Sequence, residues 1–271
     1  MRIATWNINS VRARAERAVA WLERTGTDVL ALQETKCKDA QFPYSVFEAA
    51  GYEVAHVGLS QWNGVAIVSR VGIDDVEVGF PGQPAFGDPD PVLEARAIGA
   101  SCGGVRVWSL YVPHGRAPDN PHYAYKLEWL SRLRETAASW LDPGTGDPQA
   151  QIALVGDWNV IPLDTDVYDV TAFEGGTHVT PAEREAFFAF ADAGYTEVSR
   201  VHVPREGAYT YWDYQQLAFP KNKGLRIDFA YTSPALSRRV GGVTIDREER
   251  KGKGASDHVP VVLDIAEEAA G

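Results

Sequence analysis

Acidic, amide and histidine side chains recur at the ends of the apolar runs in this sequence. Asn7 follows RIATW, Glu34 ends DVLALQE, Asp157 ends QIALVGD, and Asp257 and His258 directly precede VPVVLDI. Carboxylate oxygens are the ligands that magnesium prefers, together with water and substrate phosphate. A histidine beside them can bind or protonate a phosphate oxygen. If the runs are strands whose ends converge, these residues predict a metal-dependent phosphoester centre.

Each of these residues also has an ordinary structural interpretation. Glu34 is as well suited to capping a turn as to binding a metal, and the Gly-Asp pair at Asp157 is common in turns. Asp257 could form a loop salt bridge with a lysine of the preceding KGKG segment. A lone histidine such as His258 is more often a structural hydrogen-bonding group than a catalyst. The hypothesis therefore rests on the combination of these residues.

Two local patterns suggest different roles for these polar side chains. If the strand continues past Asp157, Trp158 points to the opposite face and leaves Asp157 beside Asn159. The amide could then orient the carboxylate. Asp228 lies early in the run RIDFAYTS and could fix the tautomer of His258, leaving the second ring nitrogen free to face a phosphate oxygen.

Three aromatic residues in polar surroundings have two possible roles. Tyr111, Tyr211 and Trp212 belong to the core by default, as aromatic residues in strands usually do. The turn in YVPHGR makes an exposed Tyr111 hydroxyl plausible. Tyr211 and Trp212 precede a basic stretch, so an aromatic wall beside phosphate-binding lysines is conceivable.

Strands and helices must position these side chains. Ser10 could cap a helix that ends at Gly26, Asn120 opens a second, and the capping-box spacing after Thr180 opens a third that ends near Gly194. Several strands follow one another with short turns, which favours antiparallel pairing. We therefore predict an α/β fold of two packed sheets with helices outside, in one domain spanning residues 1–271. The predicted strands cover residues 2–8, 28–34, 64–70, 105–112, 151–158, 226–233 and 258–265.

Composition limits the class of protein. The 271 residues are 45% hydrophobic, which suffices for a packed core. The two cysteines are too few and too isolated for a disulfide framework. The N-terminus lacks the pattern of a secretory signal, and no run approaches the length of a membrane span. These features predict a soluble protein of the cytoplasm.

The net charge of −11 argues against a partner as acidic as DNA. The sum hides an asymmetry, because residues 221–253 contain 9 Lys+Arg against 4 Asp+Glu. One segment could therefore present a basic stripe to phosphates. The candidate residues of this stripe are Arg116, Lys221, Lys223, Arg226, Lys251 and Lys253.

Seven motifs in order make the chain resemble the exonuclease III family of abasic-site (AP) endonucleases, within the endonuclease/exonuclease/phosphatase superfamily. The resemblance implies a four-layer α-β-β-α sandwich with two packed, mainly antiparallel mixed sheets. It runs from residue 2 to about residue 265. The motifs are TWNINSVR, LQETK, YVPHGR, GDWNVIPLDTDVYD, TYWDY, GLRIDF and KGKGASDHVPVV.

The resemblance implies hydrolysis of double-stranded DNA 5′ to an abasic site, leaving a 3′-hydroxyl, with Mg²⁺ or Mn²⁺ as cofactor. It also implies 3′-5′ exonuclease and 3′-phosphatase activity on abasic or 3′-blocked DNA. Apart from the resemblance, the sequence shows no heptad pattern, so we expect a monomer, and we expect no membrane partner. The implied catalytic residues are Tyr111, Asp157, Asn159, Asp228 and His258. The implied metal shell is Asn7, Glu34, Asp157, Asn159 and Asp257. The implied substrate-binding residues are Asn9, His114, Arg116, Tyr211, Trp212, Leu225, Arg226 and Ile227.

Some positions depart from the commoner family pattern, and two alternative functions stay open. His114 replaces the usual Asn, Gln215 a frequent Arg, and Leu225 a Trp that some members carry. One alternative is a phosphatase or phosphodiesterase of the same fold acting on a non-nucleic-acid ester. The other is a non-catalytic DNA-binding relative. The TYWDY and KGKGASDH segments favour nucleic acid, and no expected ligand is missing.

Overall fold

In the computed structural model of the protein, residues 1–267 are described. The strands are β1 Arg2–Asn7, β2 Val29–Gln33, β3 Glu53–Val57, β4 Val65–Ser69, β5 Asp74–Val78, β6 Ala97–Cys102, β7 Val105–Tyr111, β8 Ile152–Asp157, β9 Thr196–Glu197, β10 Asp228–Thr232, β11 Val240–Ile245 and β12 Val261–Ile265. The α-helices are α1 Val11–Thr25, α2 Tyr44–Glu48, α3 Pro121–Leu141, α4 Pro181–Asp192, α5 Val198–His202 and α6 Pro234–Ser237. Short 3-10 helices cover Asp39–Gln41, Asp164–Asp166, Val170–Phe173 and Arg247–Arg250.

The strands form two six-stranded sheets. The first has the order β11-β12-β1-β2-β4-β3, and the second has the order β5-β6-β7-β8-β10-β9. Each sheet contains one parallel pair, β1 with β2 and β7 with β8, and its other pairs are antiparallel. The prediction of two mixed, mainly antiparallel sheets is confirmed. All seven predicted strands overlap observed ones.

Alternation of side chains along the strands separates the layers. On β1, Ile3 lies in the core between the sheets, whereas Trp6 packs in the cluster that includes residues of α1. On β8, Val155 faces the same inter-sheet core, whereas Trp158 just beyond the strand packs against Phe187 of α4. Helices thus cover both outer faces, which confirms the four-layer sandwich.

The same alternation determines where the polar strand ends lie. Asn7 is four residues after Ile3 and Asp157 is two after Val155, so both side chains continue inward-facing rows. β1, β2, β7 and β8 end at one edge of the sandwich. Because β10 and β12 run antiparallel to their neighbours, their starts lie at this edge too. Asp228 pairs directly with Asp157 in the ladder.

The three predicted helices are present with their predicted ends. Gly26 ends α1 in a left-handed conformation, and its N–H donates to the carbonyl of Leu22. Thr180 and Glu183 form the capping box of α4. The prediction that the Ser10 side chain caps α1 is wrong, because that side chain makes no capping bond. The backbone N–H of Ser10 donates instead to the carbonyl of Glu34, which ties the helix start to the end of β2.

Among residues 1–267, no helix combines the length and the apolar character needed to cross a membrane. The assignment of residues 1–271 to a single domain stays a prediction, and residues 268–271 lie outside the described part of the chain.

Gly156 allows β8 to approach β7 directly before Asp157. A Cβ at this position would lie 1.9 Å from the carbonyl oxygen of Leu110, a backbone atom of the neighbouring strand. The strands must separate to admit a methyl group, so we expect Gly156→Ala to lower the free energy of unfolding by about 3 kcal/mol. Urea denaturation measures this change.

Gly242→Ala on β11 is the matched control, because a methyl group there would lie 4.0 Å from its nearest neighbour, Asp264 Oδ2. We expect this variant to unfold within about 0.5 kcal/mol of the wild type. Equal stability of the two variants would contradict the close-approach argument for Gly156.

Candidate active site

A compact polar cluster lies where the two sheets meet at this edge. One side-chain ligand atom from each of Glu34, Asp157 and His258 lies within 4.8 Å of the others. The Asn7 amide joins the two carboxylates, since its Nδ2 donates to Glu34 Oε1 at 2.8 Å and to Asp157 Oδ2 at 3.0 Å. Residues from four separate strand ends therefore share one site, as their positions in the sequence predicted.

His258 is held from behind by a buried carboxylate. Its Nδ1 lies 2.9 Å from Asp228 Oδ2, and the Thr210 hydroxyl donates to the same oxygen at 2.6 Å. The second ring nitrogen, Nε2, lies 3.8 Å from Asp157 Oδ2. The Tyr211 ring packs against the imidazole with a centroid separation of 4.9 Å. Asp228 thus orients the ring so that Nε2 faces the cluster.

Burial and neighbouring charges determine the protonation of this pair. Burial by itself lowers the pKa of His258, but the adjacent Asp228 and then Asp157 outweigh it and raise that pKa to about 10. Burial raises the pKa of Asp157 to about 7; His258 opposes this rise, whereas Asp228 and Glu34 add to it. His258 is therefore an imidazolium at neutral pH in this arrangement, able to donate from both nitrogens.

Glu34 differs from Asp157 because it has a cationic neighbour. Burial raises its pKa, but Lys36, whose Nζ lies 2.7 Å from Glu34 Oε2, and the Asn7 amide lower it below the usual value. Glu34 is consequently ionised at neutral pH.

The charge balance of the cluster fits a divalent cation. Three carboxylates, Glu34, Asp157 and Asp228, surround one imidazolium, and Asp228 Oδ1 is buried without a hydrogen-bond partner among the described residues. Burial raises the pKa of Asp157, and the neighbouring Asp228 and Glu34 carboxylates add to this rise. Carboxylate and amide oxygens are the ligands that magnesium prefers. The donor set therefore suits Mg²⁺ or Mn²⁺.

Left-handed backbone conformations concentrate at this site. Asn9, Glu34, Asn159 and His178 have φ values of 45°, 50°, 50° and 79°. Non-glycine residues adopt such values at a cost, and they persist only where surrounding contacts hold them. Glu34 directly follows β2 and Asn159 lies two residues after the end of β8, and both line the cavity.

Asn159 contributes differently from the prediction. β8 ends at Asp157, so Asp157 and Asn159 do not continue one face of a strand. The backbone N–H of Asn159 donates to Asp157 Oδ1 at 2.9 Å, whereas its side-chain amide donates to the carbonyl of Val112 at 2.9 Å. Asn159 orients Asp157 through its backbone.

Tyr111 lies at the end of β7 beside the cluster. Burial, with the Glu34 carboxylate, raises the pKa of Tyr111 well above its ordinary value, so its hydroxyl remains a proton donor at neutral pH. The buried Arg96 guanidinium lies 4.9 Å from the centroid of its ring.

A cavity of about 420 Å³ opens over the cluster. Its lining includes ten of the predicted site residues and contains both acidic and apolar side chains. The predicted residues in its lining are Glu34, Tyr111, His114, Asp157, Asn159, Tyr211, Leu225, Ile227, Asp257 and His258. The lining also contains Tyr168, Phe173, His178, Asp213, Gln215, Gln216, Ala218 and Lys223.

Two residues predicted to lie on the DNA-binding surface are buried. Trp212 is fully buried in a cluster with Tyr209, Ala218 and Val259, so it forms core and not an exposed aromatic wall. Arg226 is 1% exposed, and its guanidinium donates to the carbonyl of Val203. It cannot belong to an exposed basic stripe.

Three other predicted residues lie in different settings. Asn9 Nδ2 donates to Asp257 Oδ1 at 2.9 Å, which places both next to the cluster, although Asp257 is outside its compact group of three. Arg116 is exposed and outside the cavity lining. The roles of these residues stay predictions.

His178 and the buried Lys126 near it were not predicted from the sequence. His178 Nε2 lies 3.2 Å from His114 Nε2, and the two rings meet edge to face in the cavity wall. Lys126 is fully buried on α3, four residues before the buried Leu130. A lysine on the apolar stripe of a helix is a sequence signal that could have found it.

Comparison with known proteins gives consistent matches over nearly the whole chain. Residues 4–258 match the Endonuclease/Exonuclease/phosphatase family. Exodeoxyribonuclease III of Haemophilus influenzae is 28% identical, and the match covers 96% of this chain and 98% of that protein. A 3′ phosphatase from Neisseria bound to a product DNA hairpin is 34% identical with a TM-score of 0.90, covering 98% of this chain and 100% of that one. An AP endonuclease from Archaeoglobus fulgidus is 32% identical with a TM-score of 0.88, and the match covers 98% of this chain and 99% of that one.

Proposed function

Since the chain belongs to the Endonuclease/Exonuclease/phosphatase family, we propose that its cavity hydrolyses DNA phosphodiester bonds 5′ to abasic sites, leaving a 3′-hydroxyl. The coarser assignment, a hydrolytic nuclease of DNA repair, agrees with the exodeoxyribonuclease and AP endonuclease relatives. The observation that carries the proposal is the group of Glu34, Asp157 and His258 within 4.8 Å, with Asp228 behind the histidine.

The enzyme is metal-dependent, and we assign Mg²⁺ to the acidic side of the cavity. Glu34 and Asp257 would hold the ion, with Asn7 and Asn9 bonded to these two carboxylates in turn. When bound, a divalent cation neutralises charge on the phosphodiester, which otherwise repels an attacking oxygen. Mn²⁺ fits the same oxygen donors.

Asp157 would orient the attacking water and accept its proton. Its Oδ1 is occupied by the Asn159 N–H and its Oδ2 by the Asn7 amide, so the carboxylate is fixed in one orientation. A carboxylate with a pKa near neutral is well matched to a general base.

His258 would donate from Nε2 to a non-bridging oxygen of the scissile phosphate, while Asp228 holds its other nitrogen. The Tyr111 hydroxyl, protonated at neutral pH, is a second donor toward the phosphate or the leaving oxygen. Fixed donors of this kind stabilise charge that develops in the transition state.

Selection of an abasic nucleotide would come from the apolar wall of the cavity. Tyr211, Leu225 and Ile227 line it, and they would receive a nucleotide extruded from the helix, with no space for a base. Lys223, whose Nζ lies 5.3 Å from the Tyr168 ring centroid, is an exposed cation at the cavity rim.

We expect a monomer that acts in the cytoplasm.

The same cavity would also remove 3′-blocking groups. The Neisseria relative is a 3′ phosphatase, and its 34% identity to this chain favours such activity here. The proposed 3′-5′ exonuclease and 3′-phosphatase reactions use the same phosphate-binding groups.

End-labelled duplex DNA tests the proposal. One duplex carries a single abasic analogue, a second ends in a 3′-phosphate, and both are incubated with Mg²⁺. We expect one internal cut 5′ to the analogue and release of the terminal phosphate. Loss of phosphate from a small soluble ester, with both duplexes intact, would contradict the DNA assignment. A ladder from the 3′ end without an internal cut would overturn the abasic-site activity alone.

A further inference from the structure

Lys126 and Glu183 form an ion pair in the interior behind the cavity. Both side chains are fully buried, and Lys126 Nζ lies 2.5 Å from Glu183 Oε1. Lys126 belongs to α3 and Glu183 to the first turn of α4. Neither residue lines the cavity, and the reaction proposed above uses neither of them directly.

The ammonium of Lys126 reaches the loop that follows Asp157. Its Nζ donates to the carbonyl oxygen of Asn159 at 2.6 Å, and His178 Nδ1 bonds the same oxygen. Asn159 has a left-handed backbone, with φ of 50°. The N–H of the same residue donates to Asp157 Oδ1. One residue thus connects the buried ammonium to the proposed base.

The same pair holds the loop after Tyr111. Lys126 Nζ lies 3.4 Å from the carbonyl oxygen of His114, and the Thr177 hydroxyl lies 3.2 Å from that oxygen and 2.5 Å from Glu183 Oε1. A Cβ at Gly115 would lie 2.5 Å from Thr177 Oγ1. The segment is therefore packed closely against this network.

A structural role alone does not require charges here. Removing two charges from water is costly, and apolar side chains of similar volume are often at least as stable. A glutamine at position 183 would also preserve the capping box with Thr180. At position 126, only a charged or strongly donating side chain can form the hydrogen bond to the Asn159 carbonyl.

We propose that Lys126, held by Glu183, is a positioning residue that fixes the Asp157–Asn159 turn in its reactive conformation. The inference rests on the proposed hydrolysis at Asp157. Lys126 touches neither substrate nor reacting atoms, and it acts through the Asn159 backbone.

The double variant Lys126→Met/Glu183→Gln tests this role. It removes both charges together and preserves side-chain volume. Single-turnover cleavage of the abasic and 3′-phosphate duplexes measures the chemical step, and thermal melting measures stability. We expect a melting temperature close to that of the wild type and a KM within about threefold of the wild-type value. We expect kcat to fall 10- to 100-fold, because small misplacements of a catalytic group have effects of this size.

The remote, partly exposed pair Arg106–Glu77, with Arg106 at the opposite end of β7, is the control for the same removal of two charges. Arg106→Met/Glu77→Gln should retain kcat within twofold of the wild-type value.

Thr177→Val removes only the hydroxyl between Glu183 and His114, and we expect a three- to tenfold lower kcat. A wild-type kcat in the folded double variant would overturn the positioning role. If the double variant does not fold, Thr177→Val is the test instead, and a wild-type kcat in Thr177→Val would then overturn that role. Absence of any cleavage by the wild-type protein would instead contradict the proposed function.

Discussion

Replacing Asp157 with alanine is expected to lower the rate of DNA cleavage by at least about 10³-fold while DNA affinity stays within a few-fold of wild type. The carboxylate is held by the Asn7 amide and the Asn159 N–H in the centre of the cluster. Its loss removes the group that orients and deprotonates water, which acts mainly in the transition state. Single-turnover cleavage and fluorescence anisotropy measure the two quantities.

Asp157→Asn provides a matched variant of nearly equal volume. It should be as inactive as the alanine variant, because an amide cannot accept the proton. Asp147→Asn, on an exposed loop after α3, is the control for the chemical change itself and should retain full activity. Full activity of Asp157→Asn would contradict the assignment of Asp157 as the base.

The second large effect is expected at the His258–Asp228 pair. His258→Gln should lower kcat by roughly 10²- to 10³-fold, because the imidazolium donor to the phosphate is lost. Asp228→Asn should lower kcat less, since it only weakens the orientation and charge of the ring. Asp228 is expected to act only by orienting His258, whose Nε2 donates to the phosphate. The double variant should therefore be little worse than His258→Gln.

Steady-state and single-turnover kinetics of the two single variants and the double variant complete this cycle. His202→Gln, on the exposed end of α5, is the control and should behave as wild type. Additive losses in the double variant would show that Asp228 and His258 act independently, against the geometry of their 2.9 Å contact.

The convergence of the site was predictable because side-chain alternation and strand direction follow simple rules. Asn7 and Asp157 end strands whose inward rows begin with apolar residues, so their facing direction was readable from the sequence. The pairing of β1 with β12 and of β8 with β10 was not readable, because register depends on contacts between distant segments. That pairing brings Asp228 and His258 beside Asp157.

The strands that the sequence analysis missed lack an apolar run. β5 has the sequence DDVEV on a sheet edge, and β11 contains a Gly-Gly pair. β6 is paired on both sides but consists largely of small residues, and the Trp108 ring occupies the space that a side chain at Gly99 would need. In these strands tertiary packing outweighs local preference.

The burial of Arg226 and Trp212 was not predictable from their local sequence. Arg226 was assigned to an exposed stripe, and Trp212 was given a possible surface role beside its default core role, yet both are buried. Lys126 differs, because its position on the apolar stripe of α3 indicates burial although a lysine on a helix ordinarily reaches solvent. Burial of such residues depends on partners, here Glu183 and Val203, that local sequence does not identify.

The central claim is that the cluster of Glu34, Asp157 and His258 is a metal-dependent phosphodiesterase centre, and a metal titration tests it most directly. The protein is treated with EDTA and incubated with the duplex carrying one abasic analogue while free Mg²⁺ is raised stepwise. We predict no cleavage in EDTA, recovery of a single internal cut with Mg²⁺, and a higher Mg²⁺ midpoint for Glu34→Gln. Cleavage that persists in excess EDTA, or the same Mg²⁺ midpoint in Glu34→Gln, would contradict this account.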